Sequence, residues 1–217
     1  MKKNKISKNW INRQRRDIYV RKSKVEGYRS RAVYKLEEIN QKFKIFFNGA
    51  SVLDLGAAPG SWSQYISKNY KNIKLASIDL KKFDEVDNTF QITGDFTKDV
   101  YKQKILNFFR CKIDIVVSDM AVNTTGHKDL DSIQTSELCL DAMRFSKGVL
   151  KKNGIFVSKI FVGSTFNEII EESKEIFKKN KVFKVGRYHS LKLKEPFKSD
   201  TLSITMRCIK TNTPMAF

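Results

Sequence analysis

The sequence predicts an α/β fold: a mainly parallel sheet of seven strands, helices on both faces and an antiparallel strand at one edge. Strand-like and helix-like segments alternate along most of the 217 residues, a pattern typical of parallel sheets with crossover helices. One strand-like segment, beginning at Ser51, runs through a glycine turn directly into a helical segment. The final two strand-like segments have no helix between them, which indicates the antiparallel edge.

The predicted strands are short runs of apolar and β-branched residues. They begin at Ser51 and then cover Lys74–Leu80, Phe90–Asp95, Ile113–Ser118, Gly154–Phe161, Phe183–His189 and Thr201–Cys208. The predicted helices carry apolar residues at helical spacing. They cover Ala32–Phe43, a segment after Gly60, Val100–Phe109, Thr135–Leu150 and a segment from Thr165 to about Lys179. Thr165 and Glu168 form the pattern of a capping box at the start of the last helix.

The charge of the chain points to a polyanionic partner. Lysine and arginine number 42 against 23 aspartates and glutamates, which gives a net charge of +19. Such an excess favours nucleic acid through phosphate neutralisation, with an anionic membrane surface as the alternative. No apolar run is long enough to span a bilayer, and no signal peptide follows the basic start. The three scattered cysteines disfavour a disulfide scaffold and a zinc site, and they favour a reducing cytosol.

The chain divides into a basic leader over residues 1–31, a main domain over residues 32–210 and a short tail over residues 211–217. Trp10, Tyr19 and Tyr28 are interleaved with the leader's basic residues, as in surfaces that pair phosphates and stack bases. The alternative is a solvated tail with a few anchoring aromatics. We favour contact with RNA or DNA. The histidines, His127 and His189, are interpreted as surface or loop residues.

Charged residues recur at the predicted strand ends. They are Asp54, Asp79, Asp95, Asp119 and Lys159. Because ligands of such sheets bind outside the carboxyl ends of the strands, these side chains are expected to meet at one rim. Asp79 could accept hydrogen bonds from a ribose diol, and Asp95 from an adenine amino group. The turn matches neither a dinucleotide fingerprint nor a phosphate-binding P-loop. An adenosine without a pyrophosphate is the ligand that remains.

Four segments carry a family resemblance. Asp54–Gln64 resembles the S-adenosylmethionine loop of the FtsJ/RrmJ-type RNA 2′-O-methyltransferases. Arg29–Leu36 resembles the basic segment with the family's first catalytic lysine, Val117–Asn123 the segment with its aspartate, and Val157–Phe161 the strand with its second lysine. The match runs from about Trp10 to Cys208, and within the family it most resembles bacterial enzymes that methylate a large-subunit ribosomal RNA uridine.

The resemblance implies a Rossmann-like S-adenosylmethionine-dependent methyltransferase fold and a site with two parts. The catalytic part comprises Lys35, Asp119 and Lys159. The cofactor part holds S-adenosyl-L-methionine with Asp54, Gly56, Pro59, Gly60, Ser61, Trp62, Asp79, Asp95, Phe96 and Asp119. The implied partner is ribosomal RNA, with a uridine of the A-loop of 23S-type RNA within the large subunit as target. We further expect a cytoplasmic monomer that needs neither metal nor membrane.

Lys159 is hypothesised as the base or orienting group for the 2′-hydroxyl, Asp119 as the group that positions Lys159, and Lys35 as an orienting cation. A free lysine is protonated at pH 7, so a base needs a lowered pKa. Burial and the positive charge of Lys35 would lower the pKa of Lys159, whereas Asp119 would raise it. The sequence does not decide that balance.

Two positions depart from the family pattern. Ser61 replaces the second glycine that the family's loop usually carries, a small change. Thr201, beside Asp200, occupies the place of a final-strand glutamate, and Glu195 is a poor substitute by position. Since Lys35, Asp119 and Lys159 remain, we expect an active enzyme, whose rate the missing glutamate could lower. The alternatives are a catalytically weak RNA-binding factor in ribosome assembly, or an enzyme acting on tRNA; a messenger cap is disfavoured because the chain has no extra cap-reading domain.

Overall fold

The computed structural model describes residues 17–121, 128–161, 164–183 and 201–208, and they contain six helices and seven strands. The helices are α1 (Ile18–Val25), α2 (Val33–Phe43), α3 (Ser61–Asn69), α4 (Asp99–Phe109), α5 (Lys128–Val149) and α6 (Phe166–Ile176). The strands are β1 (Ser51–Leu55), β2 (Lys74–Asp79), β3 (Thr89–Thr93), β4 (Ile113–Ser118), β5 (Leu150–Phe161), β6 (Phe177–Phe183) and β7 (Thr201–Cys208). None of the described helices has the length and apolar character needed to cross a membrane.

The strands form one sheet in the order β3-β2-β1-β4-β5-β7-β6. The five strands from β3 to β5 pair in parallel, and β7 pairs antiparallel with both β5 and β6. The predicted α/β class is therefore confirmed. The predicted antiparallel edge is also present: β6 and β7 form it, and β7 lies one place in, where both of its sides are hydrogen-bonded. Among the described strands, β6 is the edge strand, and it is rich in lysine, a composition that protects an open edge.

Helices cover both faces of the sheet, so the central strands are buried on both sides. All five residues of β1 are buried. Alternate residues face opposite ways, as the pleat requires: Leu53 and Leu55 join a core that includes residues of α4, α5 and α6, whereas Val52 joins a core that includes residues of α2 and α3. This alternation puts Asp54 on the same side of the sheet as Val52, beneath α3.

Several element boundaries differ from the sequence prediction. The last helix ends at Ile176 rather than near Lys179, and the next strand covers Phe177–Phe183 rather than Phe183–His189. The buried ring of Phe177 stacks on Phe156 with centroids 5.8 Å apart, so packing favours the extended chain there. The helix predicted from Thr135 begins at Lys128, and the fifth strand begins at Leu150 rather than at Gly154.

The predicted capping box is also wrong. The side chain of Thr165 makes no capping hydrogen bond to the α6 backbone. Its Oγ1 instead lies 2.7 Å from the Ser136 Oγ of α5. The residue that looked like a local helix signal therefore links two helices.

Residues 17–31 of the predicted leader pack against the main domain. Asp17 caps α1 by accepting hydrogen bonds from the backbone amides of Tyr19 and Val20. The rings of Tyr19 and Tyr28 lie 5.6 and 6.5 Å from the ring of Tyr34 in α2. These two tyrosines therefore anchor the leader to α2. Base stacking by them stays a prediction, and Trp10 lies outside the described residues.

Candidate active site

Lys35, Asp119 and Lys159 meet at the carboxyl rim of the sheet. The Lys159 Nζ lies 3.0 Å from Asp119 Oδ1 and donates to the Asp119 backbone carbonyl at 2.8 Å. The Lys35 Nζ lies 3.4 and 3.5 Å from the two Asp119 carboxylate oxygens. One carboxylate thus lies between two ammonium groups that come from elements far apart in the chain.

Three elements hold this cluster in place. Asp119 follows the last residue of β4, and Ser118 of that strand pairs with Ser158, which places Lys159 of β5 alongside. Lys35 projects from α2, whose Val33 and Leu36 are fully buried in the core. The Lys159 side chain is 9% exposed and that of Lys35 is 29% exposed. Lys159 is therefore the shielded ammonium, and Lys35 is the one that solvent reaches.

The surroundings lower the pKa of both members of the tighter pair. Burial alone would raise the pKa of Asp119, but Lys159 and Lys35 hold it below the usual range of an aspartate. Burial lowers the pKa of Lys159 and Lys35 lowers it further, against the opposing effect of Asp119. Burial and Lys35 together therefore outweigh Asp119, and the pKa of Lys159 lies below that of a free lysine.

The glycine turn after β1 lies tightly packed beside this cluster. Gly56 and Gly60 have φ angles of 73° and 101°, a region that side chains rarely adopt. A Cβ on Gly56 would lie 2.1 Å from the Met120 Cγ, and one on Gly60 would lie 2.6 Å from an Arg29 Nη1. The turn therefore requires glycine at both positions and ends at the amino terminus of α3, where free amides can meet a ligand.

Asp79 and Asp95 lie near the same rim, at the ends of β2 and β3. Asp79 accepts hydrogen bonds from the backbone amides of Ala58 and Lys81, at 3.0 and 2.7 Å. Asp95 Oδ1 accepts from the amide and the hydroxyl of Thr97. Burial would raise the pKa of Asp95, but the Thr97 hydrogen bonds and nearby lysines bring it below its usual value. Both carboxylates thus shape loops at the rim, and their contact with a ribose or an adenine stays a prediction.

Three other residues predicted to bind cofactor have side chains in the protein interior. Asp54 is 1% exposed and accepts a hydrogen bond from Ser63 at 2.7 Å. Trp62 is buried and donates its indole N–H to the Ala32 carbonyl at 2.9 Å. Phe96 is buried in the core. Asp54 and Trp62 thus link α3 to β1 and to the start of α2, and contact of all three side chains with a cofactor stays a prediction.

Sequence reasoning missed the roles of Arg29 and Ser30. The Arg29 guanidinium donates to the carbonyls of Pro59, Asp84 and Glu85, at 3.1, 2.7 and 2.5 Å. It therefore links the glycine turn to the loop after β2. The Ser30 Oγ lies 2.7 Å from the Ser61 Oγ. In the sequence Arg29 was only part of a basic segment, and contacts across 30 residues leave no local signal.

Thr201 stands where the family carries a glutamate, and the structure locates this position through the pairing of β7 with β5. Thr201 of β7 pairs with Phe161, two residues beyond the Lys159–Ser203 pair. Asp200, Glu195, Val122, Asn123, His127 and His189 lie outside the described residues. Among the residues that the structure describes, no three His, Cys, Asp or Glu side chains are grouped so that they could hold a metal ion.

Comparisons with known proteins agree with this arrangement. The family model described as FtsJ-like methyltransferase matches residues 28–187. The ribosomal RNA large subunit methyltransferase E of Pelagibacter ubique (strain HTCC1062) is 64% identical over 184 residues, which are 85% of this chain and 91% of the relative.

Solved structures share the fold. A ribosomal RNA methyltransferase from Plasmodium falciparum superposes with a TM-score of 0.72 at 31% identity, covering 83% of this chain and 98% of that chain. A methyltransferase from Streptococcus mutans in complex with SAH superposes with a TM-score of 0.50 at 10% identity, covering 81% and 95%. The second likeness concerns the fold alone.

Proposed function

Because this chain belongs to the FtsJ-like methyltransferase family, we propose that it transfers a methyl group from S-adenosyl-L-methionine to a ribose 2′-hydroxyl of large-subunit ribosomal RNA. The observation that carries the proposal is the Asp119 carboxylate held between Lys159 and Lys35, at 3.0 and 3.4 Å. The cluster lies next to the glycine turn, at the rim where sheets of this class bind ligands.

The residues at the rim fit the proposed cofactor. The glycine turn ends at the start of α3, whose first backbone amides can donate to a ligand. Asp79 and Asp95, at the ends of β2 and β3, offer acceptors on the side expected for an adenosine. The cofactor supplies an activated methyl group on a sulfonium. The protein residues bind it and orient the acceptor oxygen.

In the proposed reaction, Lys159 removes the proton and Asp119 holds its ammonium in place. An O–CH₃ bond forms at the ribose as the S–CH₃ bond breaks, and the hydroxyl proton passes to the Lys159 amine. Burial lowers the pKa of Lys159, which favours the neutral amine that a general base requires. Lys35 is partly exposed beside the same carboxylate, where it can orient the RNA phosphate or ribose.

Ribosomal RNA is proposed as the substrate from charge and from the relatives. The net charge of +19 favours a polyanion by counterion release, and the 64% identical relative is named for large-subunit ribosomal RNA. The finer target is a uridine of the A-loop within the assembled subunit, as the resemblance implies. We propose a monomer acting in the cytoplasm.

Methyl transfer from labelled cofactor to undermethylated large subunits tests the proposal. We expect wild type to label the RNA and the label to map to one 2′-O-methylated nucleotide. Lys159→Ala should lower kcat by a factor of about 10² to 10⁴, the usual contribution of a general base. Lys151→Ala is the matched control, since Lys151 lies on the same strand and pairs with Asp114.

Other outcomes distinguish the alternatives. Label in tRNA but not in large subunits would show that the enzyme acts on tRNA instead of large-subunit ribosomal RNA. A wild-type protein that binds the subunit but transfers no label would indicate an assembly factor. The presence of Thr201 in place of the family's glutamate favours this alternative. A Lys159→Ala protein that folds, binds cofactor and turns over at the wild-type rate would overturn the role of Lys159.

A further inference from the structure

A strap of residues 27–32, which has no regular secondary structure, joins the cofactor turn to the helix that carries Lys35. The strap runs from Gly27, after α1, to Ala32, which precedes the first residue of α2. Gln64 of α3 accepts from the Arg29 amide at 3.0 Å and donates to the Gly27 carbonyl at 3.4 Å. Trp62 donates to the Ala32 carbonyl. The strap is thus hydrogen-bonded along its length to the first turns of α3.

The hydroxyls of Ser30 and Ser61 form a hydrogen bond in the middle of the contact between the strap and α3. The Ala32 amide donates to the Ser30 Oγ at 3.2 Å, and the Ser30 Oγ lies 2.7 Å from the Ser61 Oγ. Ser61 is the first residue of α3 and is 2% exposed. Bulk water therefore cannot easily replace this hydrogen bond if either hydroxyl is removed. These two hydroxyls link the start of α2 to the start of α3.

The position of Lys35 depends on these hydrogen bonds at the start of α2. It lies three residues after Ala32, on a helix whose Val33, Tyr34 and Leu36 are fully buried, so a displacement at Ala32 moves the helix as a unit. The Lys35 Nζ lies 3.4 and 3.5 Å from Asp119, the upper limit for a hydrogen bond. A shift of a few tenths of an ångström would take the two groups out of hydrogen-bond range.

We propose that Ser61 is a positioning residue: through Ser30 it sets the distance between Lys35 and Asp119, and so couples the cofactor turn to the catalytic cluster. The proposal rests on the proposed methyl-transfer function. Family loops of this type usually carry glycine at this position, which cannot make the hydroxyl contact. The coupling is therefore a feature of this chain's own residues.

Steady-state kinetics of the full-length protein on undermethylated large subunits tests the coupling. Ser61→Gly and Ser30→Ala should each lower kcat about two- to twelve-fold, as expected when one hydrogen bond is removed. The KM for cofactor should change less than kcat, because the turn keeps its glycines. Ser67→Ala is the matched control: Ser67 is also on α3 but donates to the Asp87 carbonyl, and its loss should leave kcat unchanged.

A double-mutant cycle with Lys35→Ala separates positioning from general support of the fold. If Ser61 acts through Lys35, Ser61→Gly should change kcat by less than two-fold once Lys35 is absent. Both single variants should also shift the acidic limb of the kcat–pH profile to higher pH, because withdrawal of Lys35 raises the pKa of Lys159. Losses that multiply in the double variant, with an unchanged pH profile, would overturn the coupling.

The controls keep this result separate from the proposed function. A wild-type protein without methyl transfer contradicts the function itself, whereas an active wild type with independent losses contradicts only the coupling. If Ser61→Gly fails to fold by circular dichroism, the same cycle is run with Ser30→Ala. Ser30 is partly exposed, so its substitution leaves the buried turn intact.

Discussion

Two aspartates on neighbouring strands, Asp54 in β1 and Asp119 after β4, show how partners decide the charge of a buried carboxyl. Asp54 is 1% exposed and its side-chain partner is the hydroxyl of Ser63. Burial raises its pKa to about 7, although Ser63 opposes the shift. Asp119 lies between two ammonium groups, which hold its pKa below normal despite burial. The carboxyl beneath the glycine turn can therefore hold a proton at pH values where the Asp119 carboxylate remains ionised.

Removing the charge of Asp119 should have the largest effect on this contrast. In Asp119→Asn the two lysines lose their shared counter-ion, which leaves the shielded Lys159 ammonium without a compensating charge. We expect kcat on large subunits to fall by about 10² or more. The acidic limb of the pH profile should nevertheless move to lower pH, because Asp119 raises the pKa of Lys159.

Asp99→Asn is a suitable control for this change, since the Asp99 side chain is 93% exposed. It should leave both kcat and the pH profile unaltered. An Asp119→Asn enzyme whose acidic limb stays in place would show that Asp119 does not set the pKa of Lys159.

The second prediction concerns stability and Asp54. A raised pKa means that folded Asp54 keeps a proton which the unfolded chain releases near pH 4. Its contribution to stability is present below that pH and is lost as pH rises towards about 7. The Asp54→Asn variant has no such pH dependence. The difference in free energy of unfolding, variant minus wild type, should therefore increase by up to about 1.4 kcal/mol for each unit of pH between pH 5 and pH 7.

Urea unfolding of both proteins at pH 5, 6, 7 and 8 measures this difference. A constant difference across the series would contradict a buried Asp54 with a raised pKa. Asp99→Asn again serves as the exposed control, for which no pH-dependent difference is expected.

Ser63→Ala should give the smallest effect, because it removes one hydrogen bond to Asp54 and no charge. Ser63 lowers the pKa of Asp54, so its loss should raise that pKa further and cost about 1 kcal/mol of stability at pH 8. Urea unfolding checks the cost, and carbon NMR of the Asp54 carboxyl checks the pKa. A titration midpoint at or below that of wild type would show that the Ser63 hydroxyl does not stabilise the carboxylate.

The sequence predicted the convergence of Lys35, Asp119 and Lys159 better than it predicted what surrounds them. The rule that ligands meet the carboxyl ends of parallel strands applies to Asp119 and Lys159 because their strands are short apolar runs. Asp54 also lies near a strand end, and its cofactor contact stays a prediction. The structure shows its carboxyl accepting a hydrogen bond from Ser63, on the helix above, and strand alternation does not reveal that contact.

Other features that the sequence did not reveal come from contacts between distant segments. Arg29 binds carbonyls up to 56 residues away, and no spacing rule predicts that. The strand Phe177–Phe183 was assigned partly to a helix because helical periodicity continued past Ile176. The burial of Phe177 against Phe156 favours the extended conformation, and that burial depends on packing against β5 rather than on local sequence.

The lysines of β6 have a consequence for how copies of this chain meet one another. An edge strand presents unpaired backbone groups, which could recruit a strand from a second molecule. Lys178, Lys179 and Lys181 are exposed there, so two such edges would bring like charges together in a chain that already carries +19. Edge-to-edge aggregation should therefore be suppressed at low salt and become easier as added salt screens the repulsion.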